Sequence, residues 1–313
     1  MINRSLLRIK VLQVLYAYLK NPAPSPSAAM KEFRFSLDQT YSLYHYLLLL
    51  ICDTTAYAAQ KLENARHKNL ATEEDLHPNT RFVDNAFAAQ LAKNKDLLEY
   101  IKEHKFSWTE SYPEVVRDIY EQITASELYQ NYMAQDSSSY NDDKEFWRSC
   151  MHEFIPENQE LTKMMEDYSI YWNDDLNIVL SFVLKTIRRF EQESGADYQL
   201  LPKFRDDEDL DYAEKLYRIA MENAEEYTQL IDGHTKNWDV ERISFMDRTI
   251  MVMAVTEIIN FPTIPVNVTL NEYIELARDY SSEKSPSFIN GILDNIVTKL
   301  TNENKIMKAK IIK

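Results

Sequence analysis

Glycine is nearly missing from this chain. Only Gly195, Gly233 and Gly291 occur in 313 residues, so the positive-φ turns that β-hairpins rely on are almost unavailable, and an all-α fold is predicted. Cysteine is as scarce. Cys52 and Cys150 stand far apart, and no Cys or His pair has zinc-ligand spacing, so neither a disulfide scaffold nor a bound metal is expected. There is no glycine-rich phosphate loop and no nucleophile motif, and the six histidines are scattered. No catalytic residue and no cofactor is therefore expected. Long apolar runs are lacking too: residues 46–51 fall far short of the roughly 20 needed to span a membrane. The start has the outline of a signal peptide, being basic, then apolar, then rich in Pro, Ser and Ala over residues 22–29. Gln13 interrupts it, and Leu7, Val11, Val14, Leu15, Tyr18 and Leu19 recur at helical spacing, which favours an amphipathic helix of a cytoplasmic protein.

Positive charge is in the minority, and its distribution is uneven. The whole chain carries −15; residues 1–20 hold +4 and residues 301–313 hold +3, leaving −22 for residues 21–300. A broad basic face for duplex nucleic acid is excluded by that balance. Basic ends on an acidic body suggest a localised anion contact, against the plainer account that terminal lysines solvate frayed ends.

Helical periodicity runs through the chain. A first helix is predicted over residues 3–20, stopped by the proline tract that follows, and a second over 28–67. Residues 73–79 read as a polar break. Further helices are predicted near 83–104, 113–135, 141–154, 158–172 and 174–193, and a long one over 211–231. The acidic run 205–211 reads as a solvated linker without a ligand. In the last part, Asp239 is an expected helix cap, and residues 250–255 are apolar all round, as in a buried central helix. Glu257 at the end of that run needs a partner, and a structural hydrogen bond is favoured over a catalytic role. Pro262 and Pro265 force a connector, Thr269 and Glu272 have capping-box spacing, and Ser285-Pro286 reads as the start of a last helix. Gly291 inside that helix suggests a close helix crossing.

The ordered set Trp238-Asp-Val-Glu-Arg242, Met246-Asp-Arg-Thr-Ile250, Glu257-Ile258, Ile264-Pro265, Asn271-Glu-Tyr-Ile-Glu-Leu-Ala277 and Ser287-Phe-Ile-Asn-Gly-Ile-Leu-Asp294 resembles the carboxy-terminal half of the antitermination factor NusB family. Residues 4–16, with their arginines and Gln13-Val-Leu-Tyr16, resemble that family's first helix. The resemblance implies an all-α NusB-like bundle of two subdomains and no catalysis. It implies pairing with the ribosomal protein NusE, and binding of boxA-type single-stranded RNA within an RNA polymerase antitermination complex. The implied organisation is 1–69 for amino-terminal helices, 70–205 for an extra acidic helical insert, 206–300 for the carboxy-terminal subdomain and 301–313 for a basic tail.

On that resemblance Arg4 and Arg8 become phosphate contacts, and Gln13 and Tyr16 a base-edge and stacking surface. Lys284, Ser285, Phe288 and Asn290 become a second anion site at a helix start. The plainer alternatives are a core Phe288, a capping Ser285 and a packing Asn290. Glu241 and Asp247 become contacts to NusE, against pairing with Arg242 or Arg248 within the helix. The rival to the whole reading is a NusB-fold interaction scaffold that has lost RNA binding.

Overall fold

The computed structural model describes residues 1–22, 25–137, 139–235 and 243–306. Among them no β-strand forms, and an isolated bridge joins Ile2 to Phe204. The chain is all-α, as its shortage of glycine requires. In order, the helices are α1 (Arg4–Lys20), α2 (Pro26–Arg66), α3 (Glu73–Leu76), α4 (Ala86–Leu91), α5 (Lys95–His104), α6 (Trp108–Ser111), α7 (Pro113–Ala125), α8 (Glu127–Met133), α9 (Tyr140–Phe154), α10 (Gln159–Tyr168) and α11 (Leu176–Arg189). A 3-10 segment, Gln192–Asp197, precedes α12 (Asp207–Glu222), α13 (Ala224–Asp232), α14 (Phe245–Asn260), α15 (Val266–Tyr280) and α16 (Ser285–Asn302). No described helix is long and apolar enough to cross a membrane.

Packing divides the chain into an acidic unit, Asp38–Lys203 with Met1, and a split unit made of Ile2–Leu37 and Phe204–Lys313. Residues 38–69, which the sequence groups with the first helix, thus pack with the segment that follows them. The acidic unit holds 16 Lys and Arg against 29 Asp and Glu, or −13, while the split unit holds 19 against 21, or −2. The acidity is therefore a property of one body.

The acidic unit closes around an aromatic core. Tyr46 stacks on Phe106 with centroids 3.7 Å apart, Tyr132 on Phe146 at 4.0 Å and Tyr168 on Trp172 at 4.5 Å. Two of the three buried indoles find acceptors: Trp108 Nε1 donates to the Tyr46 carbonyl and Trp172 Nε1 to that of Gln39, both at 2.7 Å, while Trp147 Nε1 meets none among the described residues. Caps cut the long predicted helices. Asn94 accepts from Leu97 N–H and splits 83–104 into α4 and α5; Ser126 accepts from Tyr129 N–H and splits 113–135 into α7 and α8. The expected polar break at 73–79 holds the short α3, started by a reciprocal Thr72–Asp75 capping box.

In the split unit the run read as a linker begins α12: Asp206 caps it, and Asp207, Glu208 and Asp209 fill the first turn, where the helix dipole favours negative charge. Asn223 separates α12 from α13 inside the predicted 211–231 helix. α14 is central, with Thr249 to Ile258 all buried, as its uninterrupted apolar run requires. Its cap is Ser244, which accepts from Asp247 N–H at 2.9 Å; Asp239, the expected cap, lies outside the described residues. Helix α15 starts directly after Pro265, so Thr269 is an interior, fully buried residue and no capping box forms with Glu272. Lys284, not Ser285, is the N-cap of α16. A Cβ built on Gly291 would meet nothing within 4 Å, so no close helix crossing accounts for this glycine.

Candidate nucleic-acid interface

The residues predicted to meet RNA sit on α1 and at the start of α16 in the split unit, and those of α1 fall into two groups. Asn3 accepts from Leu6 N–H and starts α1, and Arg4 and Arg8 follow on successive turns. Arg8, predicted to contact phosphate, is only 3% exposed. Its Nε and Nη2 donate to the two Glu257 oxygens at 2.9 and 3.0 Å, and its Nη1 to Glu272 at 3.1 Å. Thr269 Oγ1 donates to Glu257 at 2.8 Å, and Tyr212 and Tyr273 hydroxyls donate to it as well. Burial alone would raise the Glu257 carboxyl, but the Arg8 hydrogen bonds and charge, with those of Tyr212 and Thr269, hold it below the usual carboxylate range. Burial likewise pushes the Tyr212 and Tyr273 hydroxyls far up, and the Glu257 charge adds to it.

This arrangement corrects the assignment of Arg8. A buried guanidinium that holds Glu257 bidentately and reaches Glu272 with its third nitrogen is not open to a phosphate, and Glu257 has the structural partner that its position demanded. Arg4 is freer. Its side chain is 38% exposed, with Nε 3.3 Å from Asp209 and the guanidinium 5.0 Å from the centre of the Tyr212 ring. Lys10, the third basic residue of the start, is fully buried.

The second group lies toward the other end of α1, about 18 Å from Arg4 at 1.5 Å per residue. The half-buried Tyr16 meets Phe245, the first residue of α14, edge-to-face at 5.1 Å. The exposed Lys20 sets Nζ 4.2 Å from the Phe245 ring centre and 5.9 Å from that of Tyr16. Tyr16 and Lys20 line an open cavity of about 750 Å³ together with Val14, Glu32 and Tyr217. Gln13, half-buried, is one turn before Tyr16.

The first turn of α14 also reaches the start of α16. Asp247 is 6% exposed and accepts from Ser281 Oγ at 2.6 Å, while Ser285 Oγ contacts the hydroxyls of Ser281 and Ser282 at 3.0 and 2.8 Å. Asp247 is thus turned inward, joining two helix starts, and Arg248 pairs with Asp232 at 2.6 Å. Ser285 is buried and does not cap the helix. Lys284 is exposed, and Phe288 and Asn290 are half-buried, with Asn290 Nδ2 at 3.4 Å from Asp294. Glu241 lies outside the described residues.

Tyr16, Lys20 and Phe245 therefore meet where α1 packs on the first turn of α14, the Asp247–Ser281–Ser285 chain ties that turn to the start of α16, and Arg4 stands apart. Sequence reading missed Phe245 and Lys20. The signal available was the i, i+4 spacing of Tyr16 and Lys20, which sets ring and ammonium on one face. No group of three or more His, Cys, Asp or Glu among the described residues is arranged to hold a metal ion.

Comparison with known proteins bears on much of the same region and reaches into the end of the acidic unit. The NusB family model matches residues 178–298. The transcription antitermination protein NusB of Salinibacter ruber is 35% identical over 133 residues, which is 41% of this chain and 83% of that protein. That of Clostridium botulinum strain Kyoto is 38% identical over 115 residues, 36% of this chain and 79% of its own. A solved structure of T. maritima NusB is 30% identical, covers 40% of this chain and 87% of that one, and has a TM-score of 0.30.

Proposed function

This chain belongs to the NusB family, and on that premise we propose that it is a non-catalytic, cytoplasmic, RNA-binding factor in transcription antitermination, pairing with NusE on boxA-type single-stranded RNA. The observation that carries the RNA contact is the Tyr16–Phe245 ring pair under the Lys20 ammonium at the edge of an open cavity. Rings that accept stacked bases beside a cation that neutralises phosphate are what single-stranded recognition needs. Lys284 at the start of α16 adds a second charge, at the positive end of that helix's dipole. Arg4, which holds Asp209 through Nε, supplies a further contact through its terminal nitrogens.

Titration of labelled boxA-like RNA by fluorescence anisotropy, with and without NusE, tests this. Tyr16→Ala removes one stacking partner and is expected to weaken binding by about 1–3 kcal/mol. Lys20→Ala removes one phosphate contact and is expected to lower the salt-dependence slope by about 0.7. Full RNA affinity in both variants would refute the site.

One observation favours a second reading. Arg8 and Lys10 are committed inside the fold and Arg4 is tied to Asp209, which is what a protein-interaction scaffold of NusB fold without RNA binding would show. NusE binding with no RNA affinity in any complex would select that reading.

A further inference from the structure

The acidic unit carries a cavity of its own, lined by residues of α2 and α5 and by the segment around Leu200. It measures about 430 Å³ and opens to solvent, within the size range of small-ligand sites. Asp96, Glu99 and Glu103 are exposed on its rim, and neither Lys nor Arg lines it. Its wall includes the His45 imidazole, 2% exposed and stacked 3.7 Å from Tyr100, whose other face stacks on His104 at 3.9 Å.

His45 is the informative residue. Its Nδ1 lies 2.9 Å from the Tyr41 carbonyl, an acceptor, so Nδ1 carries the proton. Burial lowers the imidazole to about 4, so the ring is neutral. Nε2 then holds a lone pair. It finds no hydrogen-bond donor among the described residues, although the ring is almost wholly buried in the cavity wall. The Tyr41 and Tyr100 hydroxyls are engaged with the Leu201 carbonyl and Ser42. Asp96 accepts from Leu200 N–H with one oxygen, leaving the other. The cavity is a set of acceptors short of donors.

We propose that this cavity binds the guanidinium of an arginine side chain from a basic protein partner. A guanidinium offers five donors in a planar fork and keeps its charge, matching one neutral nitrogen acceptor and several separated carboxylates. The carboxylates and His45 do not converge as a metal-binding group. The −13 charge of the unit draws a cationic partner and repels RNA. The proposal does not rest on the RNA reading, since every residue involved lies in the other unit.

The test uses the full chain and two short peptides of equal length and charge, one of arginines and one of lysines, followed by calorimetric titration. The arginine peptide is expected to bind the wild type tighter than the lysine peptide. Glu99→Gln/Glu103→Gln, both exposed, is expected to weaken it about tenfold or more, while Glu121→Gln/Glu157→Gln, with the same charge change elsewhere on the unit, leaves more than half of the affinity gain. His45→Phe keeps the ring stack and loses the acceptor, and is expected to abolish the preference for arginine over lysine. Equal loss in both Gln pairs, or equal binding of the two peptides, would overturn the proposal.

Discussion

Replacing Arg8 by methionine removes the guanidinium while keeping much of its apolar length. The Glu257 carboxylate would then stand fully buried without its guanidinium partner, with Tyr212, Thr269 and Tyr273 still donating to it. Breaking a buried pair in this way costs about 3–5 kcal/mol, enough to open much of the split unit. Hydrogen exchange of peptides from α14, read by mass spectrometry, localises the loss to that unit, and its pH dependence identifies the cause. In the wild type the depressed Glu257 carboxyl contributes stability that is complete above its unfolded value near 4.5 and is lost as pH falls through its lower folded value. In Arg8→Met the sign reverses: burial raises the carboxyl, so the deficit is largest near neutral pH and shrinks on acidification toward the raised value. Arg8→Met/Glu257→Met, which removes both charges, is expected to recover most of the loss. Wild-type protection in Arg8→Met, with weakened RNA binding instead, would refute the structural role of this pair and restore Arg8 as a phosphate contact.

Other outcomes follow from single residues. Gly291→Ala fills empty space in a helix interior and is expected to stabilise the split unit by about 0.5–1 kcal/mol, seen as a higher unfolding midpoint. Ser244→Ala leaves Asp247 N–H without its cap and is expected to cost about 1 kcal/mol, with faster exchange confined to the first turn of α14. Because burial lowers His45 from 6.5 to about 4, the unfolded chain takes up that proton first, so the acidic unit loses stability as pH falls from about 6.5 to 4. His45→Phe is expected to flatten that slope in urea titrations followed by tryptophan fluorescence.

The fold class was legible in the scarcity of glycine, and the longest elements in their periodicity: α1 with Asn3 before it, α2, and the apolar α14. Internal breaks were not, because Asn94, Ser126 and Asn223 interrupt helices without disturbing the apolar period. Thr269 misled because capping-box spacing also occurs inside a helix that an upstream proline has already begun. The fate of Arg8 could have been read. Arg8, Val11, Leu12 and Leu15 share one helical face, and Glu257 is embedded in the apolar run of another helix. Two opposite charges, each inside an apolar stripe, are the mark of a buried pair. The meeting of Tyr16 and Lys20 with Phe245 depends on how α1 and α14 pack, which no local pattern states.

The split of one packing unit across the chain has a consequence for the order of events during synthesis. Arg8 must wait 249 residues for Glu257, which at about 5–20 residues per second is on the order of 10–50 s of translation. Through that interval Leu6, Leu7, Val11 and Leu12 lack the helices that will bury them, while Asp38–Lys203 has emerged in full. The intervening segment adds little to the entropy of closing the loop, since that cost grows only with the logarithm of length. Its burden is temporal: the nascent first helix is a sticky segment, and ribosome-bound chains stopped before α14 are where a holding chaperone has most to do.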